Sequence, residues 1–267
     1  MSYKILFSDL DGTLLSLKND VSDFTAGELK RIKDQVPIVL VSARMPKSMV
    51  YLQERLGIEQ EPMICYNGAL ILKENRVISS ITIEMPVIEA VFQCSRENKV
   101  GLGLYFEDEW YVEEMTERVR KEIFNTRAEP DFMAMEEVIK EWKTKGKSAH
   151  KIMCMGTEEN IDRIFPVLTK EFGHTLHIYR SNATLIEIAD KRVSKLSGIK
   201  TVLEEFYPFS LENAVAFGDN YNDMEMIEAV GCGVAVDNAR EELKEIADVV
   251  TDHFKEDGVA KYVKQLF

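Results

Sequence analysis

The chain has 267 residues, 45% of them hydrophobic and 30% charged, with a formal charge of −13 and a pI near 4.9. That length carries one large core or two modest ones. The acidity argues against a broad nucleic-acid or anionic-membrane surface and repels phosphate at long range, so a phosphate site would need a local cluster of cation and metal. The predicted elements begin with an apolar run, Tyr3–Ser8, a short buried strand that stops at Asp9 and turns at Asp11-Gly12. It leaves two acids, Asp9 and Asp11, two positions apart at a strand tip. If both face one site, two unit charges about 4 Å apart at an effective dielectric near 20 cost about 4 kcal/mol, which a divalent cation relieves. A solvated turn is the plain alternative. A calcium EF-hand loop fails, because Leu14 and Asp20 stand where its glycine and glutamate belong.

An amphipathic helix follows at Phe24–Lys33, then a buried strand Pro37–Val41 ending at Ser42, a helix Pro46–Leu56 closed by Gly57, and a strand Met63–Tyr66 ending at Asn67-Gly68. Apolar strands alternating with helices predict an α/β fold, a doubly wound parallel sheet with helices on both faces. Ligands of such sheets bind beyond the carboxyl ends of the strands, so Asp9, Ser42 and Asn67 point to one site. From about Thr82 to Glu187 the pattern changes to strand-like alternation at Ile81–Ile83, Gly101–Phe106 and Trp110–Val112, with charged helices at Val138–Trp142 and Glu159–Lys170. This reads as an inserted α+β domain, residues 83–187, splitting a core domain of residues 1–82 and 188–267. Strand–helix alternation resumes at Ala214–Phe217, before Gly218-Asp219, and at Gly233–Val236, before Asp237-Asn238.

Cys65, Cys94, Cys154 and Cys232 are scattered through or near apolar stretches and are expected as buried, reduced thiols of a cytoplasmic protein. Asp9 comes too early for a signal peptide, and no apolar run approaches the ~18 residues of a membrane span. His174 and His177 have helical metal spacing but lie in a loop-to-strand stretch, which speaks against a metal site there.

Two segments bring further chemistry. Gly218-Asp219-Asn220-Tyr221-Asn222-Asp223 is a second acidic strand tip at a helix start, richer in polar residues than capping alone requires. Val193-Ser194-Lys195 precedes an amphipathic helix. A carboxylate can attack a phosphate monoester if a metal and a lysine quench the repulsion, while a second acid protonates the leaving group and then activates water. Asp9, Asp11, Asp219, Lys195 and Ser42 can fill those roles with Mg²⁺, which takes few carboxylates together with substrate phosphate and water.

Asp9-Leu10-Asp11-Gly12-Thr13-Leu14, Ser42, Lys195 and Gly218–Asp223 together resemble the four motifs of the haloacid dehalogenase superfamily. The Asn67-Gly68-Ala69 turn, the insertion, and the stretches Ala247–Thr251 and Asp257–Ala260 resemble its Cof-type subgroup. The resemblance covers nearly the whole chain and is weakest in the insertion. It implies a Rossmann-like core with an α/β cap, and a phosphatase of small phosphorylated metabolites. Asp9 would be the nucleophile, Asp11 the general acid/base, and Lys195 a catalytic and phosphate-binding cation. Asp9, Asp219 and the Asp11 carbonyl would hold Mg²⁺, with Asn222 and Asp223 orienting that shell. Leu10, Ser42, Ala43, Arg44, Asn67, Gly68 and Asn222 would line the phosphate and substrate site.

The family pattern is broken at Ala43 and Leu196, each in place of a usual glycine, and at Asp237, which adds an acid. In the cap, Lys151, Arg180 and Glu187 are candidates to face the core, and Tyr105 or Trp110 to stack on a sugar or ring. Structural packing is the simpler role for each. Sugar phosphates are the first expected substrates, with pyridoxal phosphate, FMN and nucleotides behind. A sugar phosphomutase and a non-enzymatic phosphate-binding module are the rival readings, and oligomeric state is not legible.

Overall fold

The computed structural model describes residues 3–17, 19–74 and 76–267. In chain order the elements are β1 (Ile5–Ser8), α1 (Asp23–Ile32), β2 (Ile38–Val41), α2 (Val50–Leu56), β3 (Met63–Cys65), β4 (Leu70–Lys73), β5 (Arg76–Ser80), α3 (Met85–Glu97), β6 (Gly101–Phe106), β7 (Glu109–Val112), α4 (Glu117–Thr126) and β8 (Asp131–Phe132). They continue with α5 (Met135–Lys145), β9 (Lys151–Met155), α6 (Glu158–Phe172), β10 (Leu176–Asn182), β11 (Leu185–Asp190), α7 (Lys195–Phe206), β12 (Ala214–Gly218), α8 (Met224–Ala229), β13 (Cys232–Val236), α9 (Glu241–Ile246), β14 (Val249–Thr251) and α10 (Gly258–Leu266). Two compact units result, one of residues 1–79 with 194–267 and one of residues 80–193.

The first unit is built on an eight-stranded sheet in the order β14-β13-β12-β1-β2-β3-β4-β5, parallel from β14 to β3 and antiparallel at β3–β4. Every residue of β1, β2, β12 and β13 is buried, as a sheet covered on both faces requires. The chain runs one way from β1 to β2 and β3, and the other way from β12 to β13 and β14. The order therefore reverses between β1 and β12, the place where open parallel sheets bind their ligands. The α/β class and Rossmann-like core expected from the sequence are thus present.

The second unit is a six-stranded sheet, β10-β11-β9-β6-β7-β8, antiparallel except at β7–β8. Leu102 and Leu104, Ile152 and Cys154, and Ile186 and Ile188 alternate along their strands and pack with Val91 of α3, Trp142 of α5 and Ile164 of α6 into one core. Helices thus cover one face. The strand expected at Ile81–Ile83 is not formed. β5 ends at Ser80, and Ile83 makes only an isolated bridge to Ala149 while its side chain is spent on the second unit's core. The helix expected from Pro46 begins as a single tight turn, Pro46–Ser48, and is α-helical only from Val50. All four cysteines are buried thiols outside any disulfide, and no helix of the described residues is long and apolar enough to cross a membrane.

Candidate active site

Asp9 follows the last residue of β1 and Asp219 the last of β12; the two strands are neighbours in register, Ser8 beside Phe217. The Asp9 amide donates to Phe217 O at 3.0 Å, which fixes both tips side by side. Lys195 opens α7, where Ser194 and Ser197 form a reciprocal capping box that sets the helix start. Its approach depends on Gly68, at φ +105°, where a Cβ would lie 2.5 Å from Ser194 O.

Lys195 Nζ lies 2.5 Å from Asp9 Oδ1 and 2.5 Å from Asp223 Oδ1, with the lysine side chain fully buried. Asp223 is buried too, and its other oxygen accepts the amides of Asp219 (2.9 Å) and Asn220 (3.0 Å). Both its oxygens are thus engaged in holding the lysine and the loop. Thr13 donates to Asp219 Oδ1 at 3.1 Å, and Arg240 N donates to Asp219 O at 2.9 Å. Among the described residues, Asp9, Asp219 and Asp223 form a group whose carboxylate oxygens lie within 4.8 Å of one another. His174 and His177 belong to no such group.

One ammonium against three carboxylates leaves two negative charges. Burial raises the Asp9 pKa well above the usual carboxylate range; Lys195 opposes this, while Asp223 and Asp219 add to it. Asp219 is pushed up to about 6, by burial and then by the charge of Asp223. Burial works against the charge of Lys195, but Asp223 and Asp9 raise its pKa above the ordinary lysine value. The donor set, hard oxygens with an unbalanced double charge, fits Mg²⁺. Gly12, at φ +89°, belongs to this fit, since a Cβ there would lie 2.5 Å from Asp219 Oδ2.

The Asp11 carboxylate stands apart from that group. Arg44 Nε and Nη2 donate to its two oxygens at 2.8 and 2.7 Å. Ser42, at the end of β2, is buried; its Oγ accepts the Arg44 amide at 3.2 Å and its carbonyl accepts the Asn67 amide at 2.8 Å. Asn222 Nδ2 donates to Asn67 Oδ1 at 3.2 Å, tying the β3 turn to the loop that carries Asp223. Neither Ala43 nor Leu196 has a positive φ, so neither position needs a glycine's conformational freedom here. Leu10 is buried, and Asp237 is exposed beyond β13.

Sequence reasoning missed Thr13, Asn238 and Tyr51, whose Oη accepts from Arg44 Nη1 at 3.1 Å. Asn238 Nδ2 donates to Gly12 O at 2.8 Å and its Oδ1 accepts the Phe254 amide at 3.0 Å, pinning the first acidic turn. Its place just after an apolar strand was the available signal. In the second unit, Lys151, Tyr105, Trp110 and Glu187 lie on the sheet face turned away from the helices. Tyr105 and Trp110 are buried and stack on each other at 5.3 Å, with Lys151 Nζ 4.5 Å from the Tyr105 ring centre. Cross-strand stacking thus uses the ring faces expected for a ligand. Arg180 lies on the opposite side, paired at 2.6 Å with Asp162 of α6, so it does not share a face with Lys151 and Glu187.

Residues 6–263 match the family model of haloacid dehalogenase-like hydrolases. A candidate phosphatase of Haemophilus influenzae is 33% identical over 271 residues, covering 100% of this chain and 99% of that protein. A haloacid dehalogenase-like hydrolase from Bacteroides thetaiotaomicron superposes with a TM-score of 0.90 at 26% identity over the whole of both chains. A HAD subclass IIB sugar phosphatase superposes at 0.80 and 26% identity, covering 98% of each chain. The clustered strand-tip acids and lysine, in a chain matched end to end, place it among the haloacid dehalogenase-like hydrolases, in the Cof-type subclass IIB branch of phosphoric monoester hydrolases.

Proposed function

We propose that the protein is a Mg²⁺-dependent phosphatase of small phosphorylated metabolites, sugar phosphates first, acting through a phosphoryl group carried on Asp9. The observation that carries this reading is the buried Lys195 shared between Asp9 and Asp223 beside Asp219. An isolated structural ion pair needs no third carboxylate at a neighbouring strand tip. Sugar phosphates come first because a IIB sugar phosphatase shares the fold over 98% of the chain.

Asp9, Asp219 and the Asp11 carbonyl would hold Mg²⁺, with Asn222 and Asp223 orienting them. When bound, the ion supplies neutralisation of the phosphoryl charge, which opposes attack by an anionic nucleophile. Asp9 then attacks phosphorus, and the bond from phosphorus to the leaving oxygen breaks. That oxygen takes a proton from the Asp11 carboxyl and departs as an alcohol. In the second half the Asp11 carboxylate takes a proton from water, whose oxygen attacks phosphorus. The bond to Asp9 breaks, returning its carboxylate and free phosphate. Lys195 lowers the repulsion between Asp9 and the phosphoryl oxygens, and the Ser42 hydroxyl and the amides of the first turn would donate to them.

The test is phosphate release from a panel of sugar phosphates, pyridoxal phosphate, FMN and nucleotides, with Asp9→Asn as the blank. Turnover that is abolished by Asp9→Asn and by chelation supports the reading. Retention of most activity in Asp9→Asn removes the nucleophile, and isomerised sugar phosphate in place of free phosphate makes the enzyme a mutase.

A further inference from the structure

The arginine of the second strand loop, expected as a phosphate and substrate contact, has its guanidinium fork on Asp11. The Arg44 side chain is only 3% exposed, while the Asp11 carboxylate it grips is 54% exposed. Nε and Nη2 each take one Asp11 oxygen, a two-point fork that fixes the carboxylate plane as a single hydrogen bond cannot. The rest of the guanidinium is anchored. Nη1 donates to Ser48 O at 3.4 Å and to Tyr51 Oη at 3.1 Å, and Tyr51 in turn donates to Asn19 O at 2.6 Å. Burial alone would lower the guanidinium's pKa; its hydrogen bonds and charge interaction with Asp11 raise it above the ordinary arginine value.

A buried cation with its fork committed to one partner is poorly placed to receive a phosphoryl group as well. Asp11, by contrast, sits on a turn whose next residue is a glycine at φ +89°, and it needs an external brace to keep a defined rotamer. From these contacts the geometry points to Arg44 as the positioning residue of Asp11: it holds the acid/base carboxyl for proton transfer to the leaving group, and Tyr51 and Ser48 hold Arg44. Each Asp11 oxygen receives one N–H and retains a second lone pair. The inference rests on the phosphatase mechanism proposed above.

A positioning role for the acid has a signature that a phosphate contact lacks. The parameter kcat/KM reports steps up to alcohol release, and protonation of the leaving oxygen matters most when that oxygen is a poor leaving group. Wild type, Arg44→Gln, Arg44→Lys and Tyr51→Phe are compared on 4-nitrophenyl phosphate and phenyl phosphate, with inorganic phosphate as inhibitor. Arg44→Gln is expected to lose about 10-fold on 4-nitrophenyl phosphate and about 10³-fold on phenyl phosphate, within the range of general acid catalysis. Inhibition by phosphate should change less than about 3-fold. Arg44→Lys should not restore the loss, because an ammonium cannot make the fork. Tyr51→Phe should show the same tilt at smaller scale, about 2-fold against about 10-fold.

Equal losses on both substrates, accompanied by weaker phosphate inhibition, would make Arg44 a phosphate ligand and overturn the inference. Unchanged kinetics in Arg44→Gln would overturn it as well. If circular dichroism shows Arg44→Gln unfolded, the tilt in Arg44→Lys and Tyr51→Phe decides. A wild type that releases phosphate from neither ester strikes the phosphatase reading itself, a result distinct from any pattern among active variants.

Discussion

Lys195 Nζ lies 2.5 Å from Asp9 Oδ1, and with Asp223 at the same distance it is the one ammonium among three clustered carboxylates of the described residues. Breaking a buried pair by removing one partner leaves uncompensated charge and costs about 3–5 kcal/mol. Lys195→Met keeps the volume and removes the charge. Its turnover of 4-nitrophenyl phosphate is expected to fall by at least about 10³-fold, since a charge aimed at the reacting group is lost. Urea unfolding should show the stability loss in the same variant. Wild-type turnover in Lys195→Met would remove the lysine from the mechanism.

The surplus acidity of the same cluster predicts a pH dependence of the metal-free protein. Asp219 has a folded pKa of about 6 against an ordinary aspartate value of 3.8. A carboxylate whose folded pKa is raised binds its proton more tightly in the native state. Its contribution to stability is therefore present below about 4 and lost as the pH rises through about 6. With EDTA present, the stability difference between Asp219→Asn and wild type should grow in favour of the variant between pH 4 and pH 7, by on the order of 2 kcal/mol. Saturating Mg²⁺ should erase or reverse that difference. A flat difference in EDTA would show that the cluster is not strained by its own charge.

Much of this site was legible because fully buried parallel strands end abruptly in polar residues, so Asp9, Ser42, Asn67 and Asp219 announce themselves at the tips. Lys195 was legible only in company with the other motifs, since a lone lysine before a helix is ordinarily solvent-facing. What sequence could not supply is the choice of partner. Arg44 and Asp11 are 33 positions apart, and only side-chain rotamers decide that the guanidinium grips the acid. Tyr105 and Trp110 show the same limit: aromatic residues on paired strands stack on each other or on a ligand, and register decides which. The misplaced strand at Ile81–Ile83 has a simpler cause, since three alternating residues suit a linker with one buried anchor equally well.

Gly12→Ala tests how tightly the first turn is fitted to the second. A Cβ at this position meets Asp219 Oδ2 at 2.5 Å, in a backbone conformation that L-residues rarely adopt. Asp219 must move or the turn must open, and either shift disturbs the acidic group. Loss of phosphate release by at least about 10²-fold is expected, with weaker Mg²⁺ protection against thermal unfolding, given the cost of an approximately 1 Å misplacement. Normal Mg²⁺ protection in this variant would show that the turn tolerates the methyl and that Asp219 is not held by it.

The second unit contains its own acid-sensitive element, His150. The ring is fully buried and stacked on Phe106 at 5.2 Å. Glu107 N donates to Nδ1 at 3.2 Å, which places the ring proton on Nε2, facing Ser80 Oγ at 3.0 Å. Protonating Nδ1 would set two N–H donors against each other in a buried space, in accord with a pKa lowered by burial to about 4. The unfolded chain takes up the proton near the ordinary histidine value of about 6.5 while the folded chain refuses it. The contribution of the neutral ring is therefore complete above about 6.5 and is lost as the pH falls towards 4, by about 3 kcal/mol in all. His150→Gln keeps hydrogen-bonding capacity but does not titrate. It should be less stable than wild type at pH 7.5, and the gap should narrow at pH 5, as read by urea unfolding followed through the fluorescence of Trp110 and Trp142. A gap that stays constant across that range would mean that the histidine does not titrate between the two states.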